Sequence, residues 1–144
     1  MPDERLVIEP ARSEDMNFIR ESVTRFRLDD EDLQPSQFLV ARSANRMVAF
    51  GRIKPYRQTH ELGCIAVLEA WRHRGLGRCM VEELVRRFPE PTVWITTDLV
   101  DYFSRLGFRV SHNPPTELRE KLSRVEGRIR HGVVAMSRAR DDAK

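Results

Sequence analysis

The chain has 144 residues, of which 40% are hydrophobic and 33% are charged, and these proportions are typical of a soluble globular protein with one hydrophobic core. No stretch approaches the ~20 apolar residues that a membrane-spanning helix needs, and the N-terminus lacks the apolar region of a signal peptide. We therefore expect one cytoplasmic domain over residues 1–144, with no membrane partner. The net charge of +3 suits an anionic small ligand at least as well as nucleic acid.

The chain contains two cysteines, Cys64 and Cys79. They are too few for a disulfide framework, and they lack the spacing of metal ligands. We expect two reduced, mostly buried thiols and no bound metal.

The first half of the chain predicts a strand, a helix and three further strands. Ser13 is expected to cap the helix, because Glu14 and Asp15 then fall in its first turn, where acidic side chains are favourable. The polar stretch DDEDLQPSQ is expected to form a connection or a short second helix. The predicted strands are RLVIEP, the hairpin FLVAR and MVAFGRIK, and the run ELGCIAVL.

The second half predicts alternating helices and strands. A helix after residue 75 carries one apolar stripe, made of Leu76, Met80, Val81, Leu84, Val85 and Phe88. The next elements are a strand, TVWITT, a short helix, DLVDYFSRL, closed by Gly107, and a strand, FRV. A last helix is expected from Leu118 to Ile129, with Gly127 inside it, before the strand GVVAMSR. This order of strands and helices predicts an α/β fold with a mixed sheet.

A glycine-containing turn joins the fourth predicted strand, ELGCIAVL, to the helix that carries the apolar stripe. The pattern Arg72-x-x-Gly75-x-Gly77 places the unpaired N–H groups of a helix N-terminus where a phosphate could accept hydrogen bonds from them. Arg74 and Arg78 add positive charge. The turn lacks the Gly-Lys-Ser/Thr of a P-loop and the third glycine of a dinucleotide fingerprint. A strand–turn–helix with two glycines also suits a plain structural connection, and that alternative stays open here.

The run from Val67 to Gly77 resembles the acyl-CoA signature of the GCN5-related N-acetyltransferases. A second landmark, Tyr102-Phe103-Ser-Arg-Leu-Gly107-Phe108, resembles the helix of that family that ends in Leu-Gly-Phe. The resemblance implies a single-domain fold with a mostly antiparallel sheet, flanking helices and splayed central strands. It also implies acetyl-CoA as cosubstrate and no metal. The residues it assigns to binding acetyl-CoA are Ile65, Ala66 and Val67 on the strand, Arg72, His73, Arg74, Gly75, Leu76, Gly77 and Arg78 in the turn, and Phe103.

The reaction requires a group that removes a proton from the acceptor. An amine of pKa about 8 to 10 is mostly protonated at neutral pH, and only the free amine attacks a thioester. Glu61 occupies the position that carries the general base in several members of the family, and its even spacing from Val67 puts both side chains on one face of a regular strand. The alternative is a strand-edge glutamate paired with an arginine. His60 is a reserve base or a solvated turn histidine.

The leaving group points to a departure from the family pattern. Many members place a tyrosine where this chain has Phe103, and the tyrosine protonates the departing thiolate. Tyr102 lies one residue earlier, about 100° round a helix, and is therefore expected to pack or to line the acceptor pocket. A thiol of pKa about 8.5 can leave unprotonated, so we expect the reaction to proceed without a dedicated acid.

The motif around Glu61, with Ile95-Thr-Thr97 and Phe103, is similar to the acetyltransferase domain of N-acetylglutamate synthases and their short stand-alone relatives. This implies transfer to the α-amine of an amino acid or a similar small molecule. A carboxylate on that acceptor would pair with Arg20, Arg25, Arg52 or Lys54. The alternative interpretation of these four residues is that each is a solvated surface charge.

Other functions stay open. A protein or peptide N-acetyltransferase is the nearest rival, and a non-catalytic CoA-binding module would have no need of Glu61. The last helix interleaves its arginines with glutamates and has no aromatic residue among them to stack bases, so we expect no nucleic-acid partner. Oligomeric state is left open, with a homodimer as one option.

Overall fold

The computed structural model describes residues 6–126 and 132–141. Within them, strands and helices follow the predicted order, and the prediction of an α/β fold is confirmed. The strands are β1 (Leu6–Pro10), β2 (Phe38–Ser43), β3 (Arg46–Pro55), β4 (His60–Val67), β5 (Thr92–Thr97), β6 (Arg109–Val110) and β7 (Val134–Ala139). The helices are α1 (Met16–Arg25), α2 (Leu76–Arg87), α3 (Val100–Ser104) and α4 (Thr116–Val125), and 3-10 turns cover Ser13–Asp15, Pro35–Gln37 and Glu69–Trp71. In this part of the chain, no helix combines the length and apolar character needed to cross a bilayer.

Hydrogen bonding divides the strands between two sheets. The first has the order β1-β2-β3-β4 and the second the order β5-β7-β6. The predicted hairpin of β2 and β3 is present, and Ala44 and Asn45 form its tip with left-handed φ angles of 50° and 67°, which a two-residue hairpin turn requires. The two strands that were expected to splay, β4 and β5, belong to different sheets.

The chain folds as two compact units. One contains the described residues up to Ile53 together with Cys64–Leu84, and the other contains Lys54–Gly63 with the described residues from Val85 onward. In the first unit, α1 packs its apolar face on β2, β3 and the end of β4 through Met16, Ile19, Val23, Phe38, Val40, Phe50, Cys64 and Ala66. The second unit buries Leu62, Phe88, Ile95, Phe108, Leu118 and Met136. A single domain over the whole chain stays a prediction.

Two local predictions were wrong, those for Ser13 and Cys79. Ser13 does not cap α1, because Ser13–Asp15 form a 3-10 turn that begins after Arg12, and the carboxylate of Asp15 accepts the Arg12 backbone N–H at 2.7 Å. The polar stretch DDEDLQPSQ forms a connection that ends in a 3-10 turn, Pro35–Gln37, which agrees with the first of its two predicted alternatives. Cys79 is exposed, whereas Cys64 is buried as expected. The predicted last helix ends at Val125, and its expected continuation through Gly127 to Ile129 lies outside the described residues.

The same Asp15 carboxylate forms a buried ion pair with Arg42 of β2. The guanidinium donates to both carboxylate oxygens, at 3.1 and 2.7 Å, and its Nε donates to Glu9 of β1. The bonds from Arg42 lower the pKa of Asp15 below its ordinary value, against the opposing effect of burial. The pair therefore joins the start of α1 to the first two strands of the sheet.

We expect Asp15→Asn to destabilise the protein by about 3 kcal/mol at pH 7, because Arg42 stays buried without its bidentate partner. A folded-state pKa below the unfolded value means that the stabilisation is present above the unfolded pKa and is lost as the pH falls through the folded pKa. Urea unfolding between pH 2 and pH 7 should therefore show a shallower acid limb for the variant. Glu9→Gln is the control with the smaller expected loss, since Glu9 is more exposed. Parallel stability curves for Asp15→Asn and the parent would contradict this assignment.

Candidate functional site

Strand β4 carries Glu61 near its start and leads into the glycine turn at its end. Cys64 interrupts it with a φ of 50°, a left-handed conformation that is uncommon for a residue with a Cβ and that breaks the alternation of a strand. Glu61 and Leu62, which precede it, are buried in succession. The regular alternation that would put Glu61 and Val67 on one face is therefore interrupted between them. The thiol of Cys64 donates to the backbone oxygen of Asp29 at 3.1 Å.

The glycine turn exposes the N-terminus of α2. Its backbone takes left-handed φ angles at His73 (64°) and Gly75 (82°). A Cβ on Gly75 would meet nothing within 4 Å, so glycine is required there by conformation and not by crowding. The N–H of Cys79 bonds to the Gly75 oxygen at 3.1 Å and closes the first helical turn. The N–H groups of residues 76 to 78 precede that bond and have no acceptor within the helix.

Three basic residues belong to the same turn and the first turn of α2. Arg72 is held across the turn, because its Nε donates to the Val67 oxygen at 2.9 Å and its guanidinium lies 5.5 Å from the Phe26 ring centroid. Arg74 stacks on Trp71 at 4.8 Å. Arg72, Arg74 and Arg78 are all exposed. Free amides, a helix dipole and three guanidinium groups together form a suitable site for an anion such as a phosphate.

The other predicted cosubstrate residues lie in both units. Leu76 is 4% exposed and anchors the first turn of α2 in the core, while Gly77 is half-buried beside it. On β4, Ile65 and Val67 are half-buried and Ala66 is buried. Phe103 of α3 is buried in the second unit. Its ring packs edge-on against Phe108 at 5.7 Å and against Tyr102, which is more exposed, at 5.0 Å.

Glu61 lies in a buried polar cluster of the second unit and is only 2% exposed. Its Oε1 accepts a hydrogen bond from the Tyr56 hydroxyl at 2.7 Å. Its Oε2 accepts from the ammonium group of Lys121 at 2.6 Å and from the Thr96 hydroxyl. Burying a carboxylate is costly unless a positive charge and hydrogen bonds replace water, and this cluster supplies both. We call Tyr56, Glu61, Thr96 and Lys121 the Glu61 cluster.

Sequence reasoning missed Lys121, which is 4% exposed, and predicted an arginine as the alternative partner of Glu61. A signal was present in α4. Lys121 lies three residues after Leu118 and four before Val125, so it belongs to the apolar face of the helix. A lysine on a buried face needs a carboxylate, and this pattern could have indicated the pair. The position of Tyr56 in the sequence gave no indication of its hydrogen bond to Glu61.

His60 is not a solvated turn histidine. It begins β4, its Nδ1 lies 2.7 Å from Oε2 of Glu90, and its ring packs edge-on against Phe88. Its role as a reserve base stays a prediction.

The four basic residues named for an acceptor carboxylate differ in their surroundings. Arg20 and Arg25 are exposed, whereas Arg52 and Lys54 are 1% and 4% exposed, so the expectation of solvated charges is wrong for the second pair. Arg52 donates to the side chain of Gln37 at 2.7 Å and to backbone oxygens of residues 29 and 32 at 3.1 Å. Its guanidinium therefore fixes the connection between α1 and β2.

A family comparison decides the class of this chain. The profile of the acetyltransferase (GNAT) family matches residues 6–108, which include β1 to β5, the glycine turn and α3. The chain belongs to the GNAT family. It is therefore an acyltransferase of that family. No protein of curated function matches the sequence significantly.

Solved structures share the GNAT fold at low sequence identity. N-acetylglutamate synthase from Neisseria gonorrhoeae, complexed with coenzyme A and N-acetyl-glutamate, has a TM-score of 0.77 and 14% identity over 96% of this chain, which spans 36% of the synthase. Rv2747 from Mycobacterium tuberculosis, in complex with CoA, has a TM-score of 0.73 and 21% identity over 92% of this chain and 98% of that one. The ribosomal-protein-S18-alanine N-acetyltransferase from Escherichia coli has a TM-score of 0.65 and 16% identity, with 97% of each chain covered. At these identities the likeness establishes the fold.

Proposed function

We propose that this GNAT protein transfers the acetyl group of acetyl-CoA to the primary amine of a small molecule, by direct attack of the amine on the thioester. The favoured acceptor is the α-amine of an amino acid or an amino-acid-like compound. The observation that carries the proposal is strand β4, which has an ion-paired, buried glutamate near its start and leads into a turn of free amides and arginines. Two groups that acetyl transfer requires, a proton acceptor and an anion site, thus lie on one continuous segment.

The turn fits the pyrophosphate of acetyl-CoA. The first amides of α2 offer hydrogen bonds to phosphate oxygens, and the exposed arginines offer charge. Ile65, Ala66 and Val67 would bond the pantetheine with their backbone groups, although the Val67 oxygen already accepts one bond from Arg72. Phe103 would pack beside the sulfur and has no proton to give to the thiolate.

Glu61 would act as the general base, directly or through an intervening group. Its ion pair with Lys121 keeps a carboxylate in a buried setting, where it can accept the proton that the acceptor amine must lose. Transfer then proceeds by nucleophilic attack of the free amine, with positioning as the main source of rate acceleration.

The amino-acid acceptor is supported by the similarity to a synthase crystallised with N-acetyl-glutamate. A peptide acceptor is the second candidate, because the chain covers nearly all of an enzyme named for acetylating a ribosomal protein.

The two candidates can be separated by measuring thiol release from acetyl-CoA with a panel of free amino acids, polyamines and N-terminal peptides as acceptors. We expect a free amino acid to give the highest kcat/KM. A peptide that exceeds every amino acid by tenfold or more would favour the second candidate, and CoA binding without turnover of any acceptor would point to a regulatory module.

The turn assignment predicts that Gly77→Glu abolishes measurable binding of CoA in calorimetry. Gly77 is the second residue of α2, and a residue with a side chain can adopt this helical backbone conformation, so we expect the variant to fold. The new carboxylate would repel a phosphate group at the helix N-terminus. Gly77→Ala is the matched control and should weaken binding much less. Gly75 is unsuitable for this test because its φ of 82° strains any substitution. Unchanged affinity for CoA in folded Gly77→Glu would contradict the assignment.

The base assignment predicts that Glu61→Gln lowers turnover by ~10²-fold or more at neutral pH and recovers part of the loss at high pH, where the acceptor amine deprotonates itself. The affinity for acetyl-CoA should change little, which calorimetry can check on the same sample. A variant as active as the parent at pH 7 would move the role to His60 or to solvent.

A further inference from the structure

The two oxygens of Glu61 differ in how they are occupied. Oε2 accepts hydrogen bonds from Lys121 and Thr96, and two donors fill the two lone pairs of a carboxylate oxygen. Among the described residues, Oε1 accepts only from the Tyr56 hydroxyl, at 2.7 Å. A proton that reaches this carboxylate is therefore taken up at Oε1, on the side where Tyr56 lies.

Tyr56 is held firmly in the connection between β3 and β4. Its N–H bonds to the Thr59 oxygen at 2.9 Å, and the Lys54 ammonium lies 4.9 Å from its ring centroid, in a cation–π contact. The next two residues donate their backbone N–H groups to the carboxylate of Glu117 in α4, at 2.9 and 3.0 Å. Hydrogen bonds thus hold the backbone of the connection at Tyr56 and at the two residues that follow it.

The phenol can both give and receive a proton. While its hydrogen points to Glu61, its oxygen keeps lone pairs that can accept a hydrogen bond from an N–H group. Tyr56 is half-buried, whereas Glu61 is 2% exposed. Tyr56 is therefore the more accessible residue of the pair.

We propose that the Tyr56 hydroxyl relays the proton from the acceptor amine to Oε1 of Glu61. This inference rests on the proposed function, in which Glu61 is the base. The ammonium form of the acceptor gives one proton to the phenol oxygen as the phenol gives its own proton to Oε1, so Tyr56 ends unchanged and the amine becomes neutral. The amine nitrogen then bonds to the thioester carbon, the carbon–sulfur bond breaks, and the sulfur leaves with the electron pair. The extra proton on the amide nitrogen goes to that thiolate, and Glu61 later returns its proton to water.

Among the described residues, charged groups contact both members of the pair. The ammonium group of Lys121 from α4 occupies Oε2 of Glu61, and that of Lys54 from β3 contacts the ring of Tyr56. The carboxylate of Glu117 from α4 accepts the backbone N–H groups of the next two residues. An ammonium group has no lone pair with which to take a proton, so neither lysine competes with Oε1 as the acceptor.

The test compares Tyr56→Phe with Thr96→Val, because each removes one neutral hydroxyl that donates to the same carboxylate. We expect Tyr56→Phe to lower kcat/KM for the acceptor by ~10²-fold at pH 7 and to recover at least tenfold by about pH 9.5, with the KM for acetyl-CoA unchanged. Thr96→Val should lose less than about tenfold, and equally at every pH, because it weakens the support of Glu61 without interrupting the path. Melting temperatures should fall by similar amounts in the two variants.

A second measurement needs no variant. With an acceptor whose deprotonation limits the rate, kcat/KM of the parent should depend on the deuterium fraction of the solvent along a curve, since two protons are transferred in the same rate-limiting step. A linear dependence in the parent would overturn the relay, as would equal losses with equal pH dependence in Tyr56→Phe and Thr96→Val. Glu61→Gln separates this failure from failure of the base assignment. If Glu61→Gln is impaired at pH 7 and Tyr56→Phe is not, only the relay is wrong, whereas an active Glu61→Gln overturns both.

Discussion

A carboxylate that is almost fully buried needs a positive charge beside it, and in this chain the charge comes from a lysine 60 residues further along the sequence. The Lys121–Glu61 pair joins α4 to β4. The Thr96 hydroxyl of β5 donates to Glu61 and accepts from Lys121, so β5 is bonded to both members of the pair. Removing either charge would leave the other buried alone, which is among the more damaging changes a folded protein can undergo. The pair therefore constrains the packing of the second unit, and in the proposed mechanism it also holds the carboxylate that serves as the base.

The proposed anion site depends on local backbone geometry instead. Left-handed φ angles at His73 and Gly75 turn the chain into α2, whose first amides have no acceptor within the helix. Arg72 closes the turn by bonding back to the last residue of β4, which explains why a basic residue is useful there even before any ligand binds. The conformation is thus set by residues within a dozen positions of one another. This contrasts with the Glu61 cluster, in which Thr96 and Lys121 lie 35 and 60 residues from Glu61 in the sequence.

That contrast explains how much the sequence could predict. The order of strands and helices follows from short-range periodicity, and the hairpin, the apolar stripe of α2 and the turn before it were all predicted from neighbouring residues. The prediction for Ser13 was wrong because Asp15 accepts the Arg12 amide and also pairs with Arg42 on β2, a contact that capping rules do not include. The left-handed φ at Cys64 was missed because neither its side chain nor its neighbours demand it. Tyr56 was missed as a partner of Glu61 because its position in the sequence carries no signal of the contact. The pattern of α4 indicates that Lys121 is buried, but tertiary packing decides which carboxylate it meets.

The most direct test of the anion site follows the backbone amides themselves. Uniformly ¹⁵N-labelled protein can be titrated with CoA while amide correlation spectra are recorded, with free adenosine as the control that lacks phosphate. We expect the amide resonances of Gly75, Leu76, Gly77 and Arg78 to shift with CoA in a saturable manner and to stay in place with adenosine, because phosphate oxygens would accept hydrogen bonds from these groups. Saturable binding of CoA that leaves these four resonances unmoved, while others shift, would contradict this expectation.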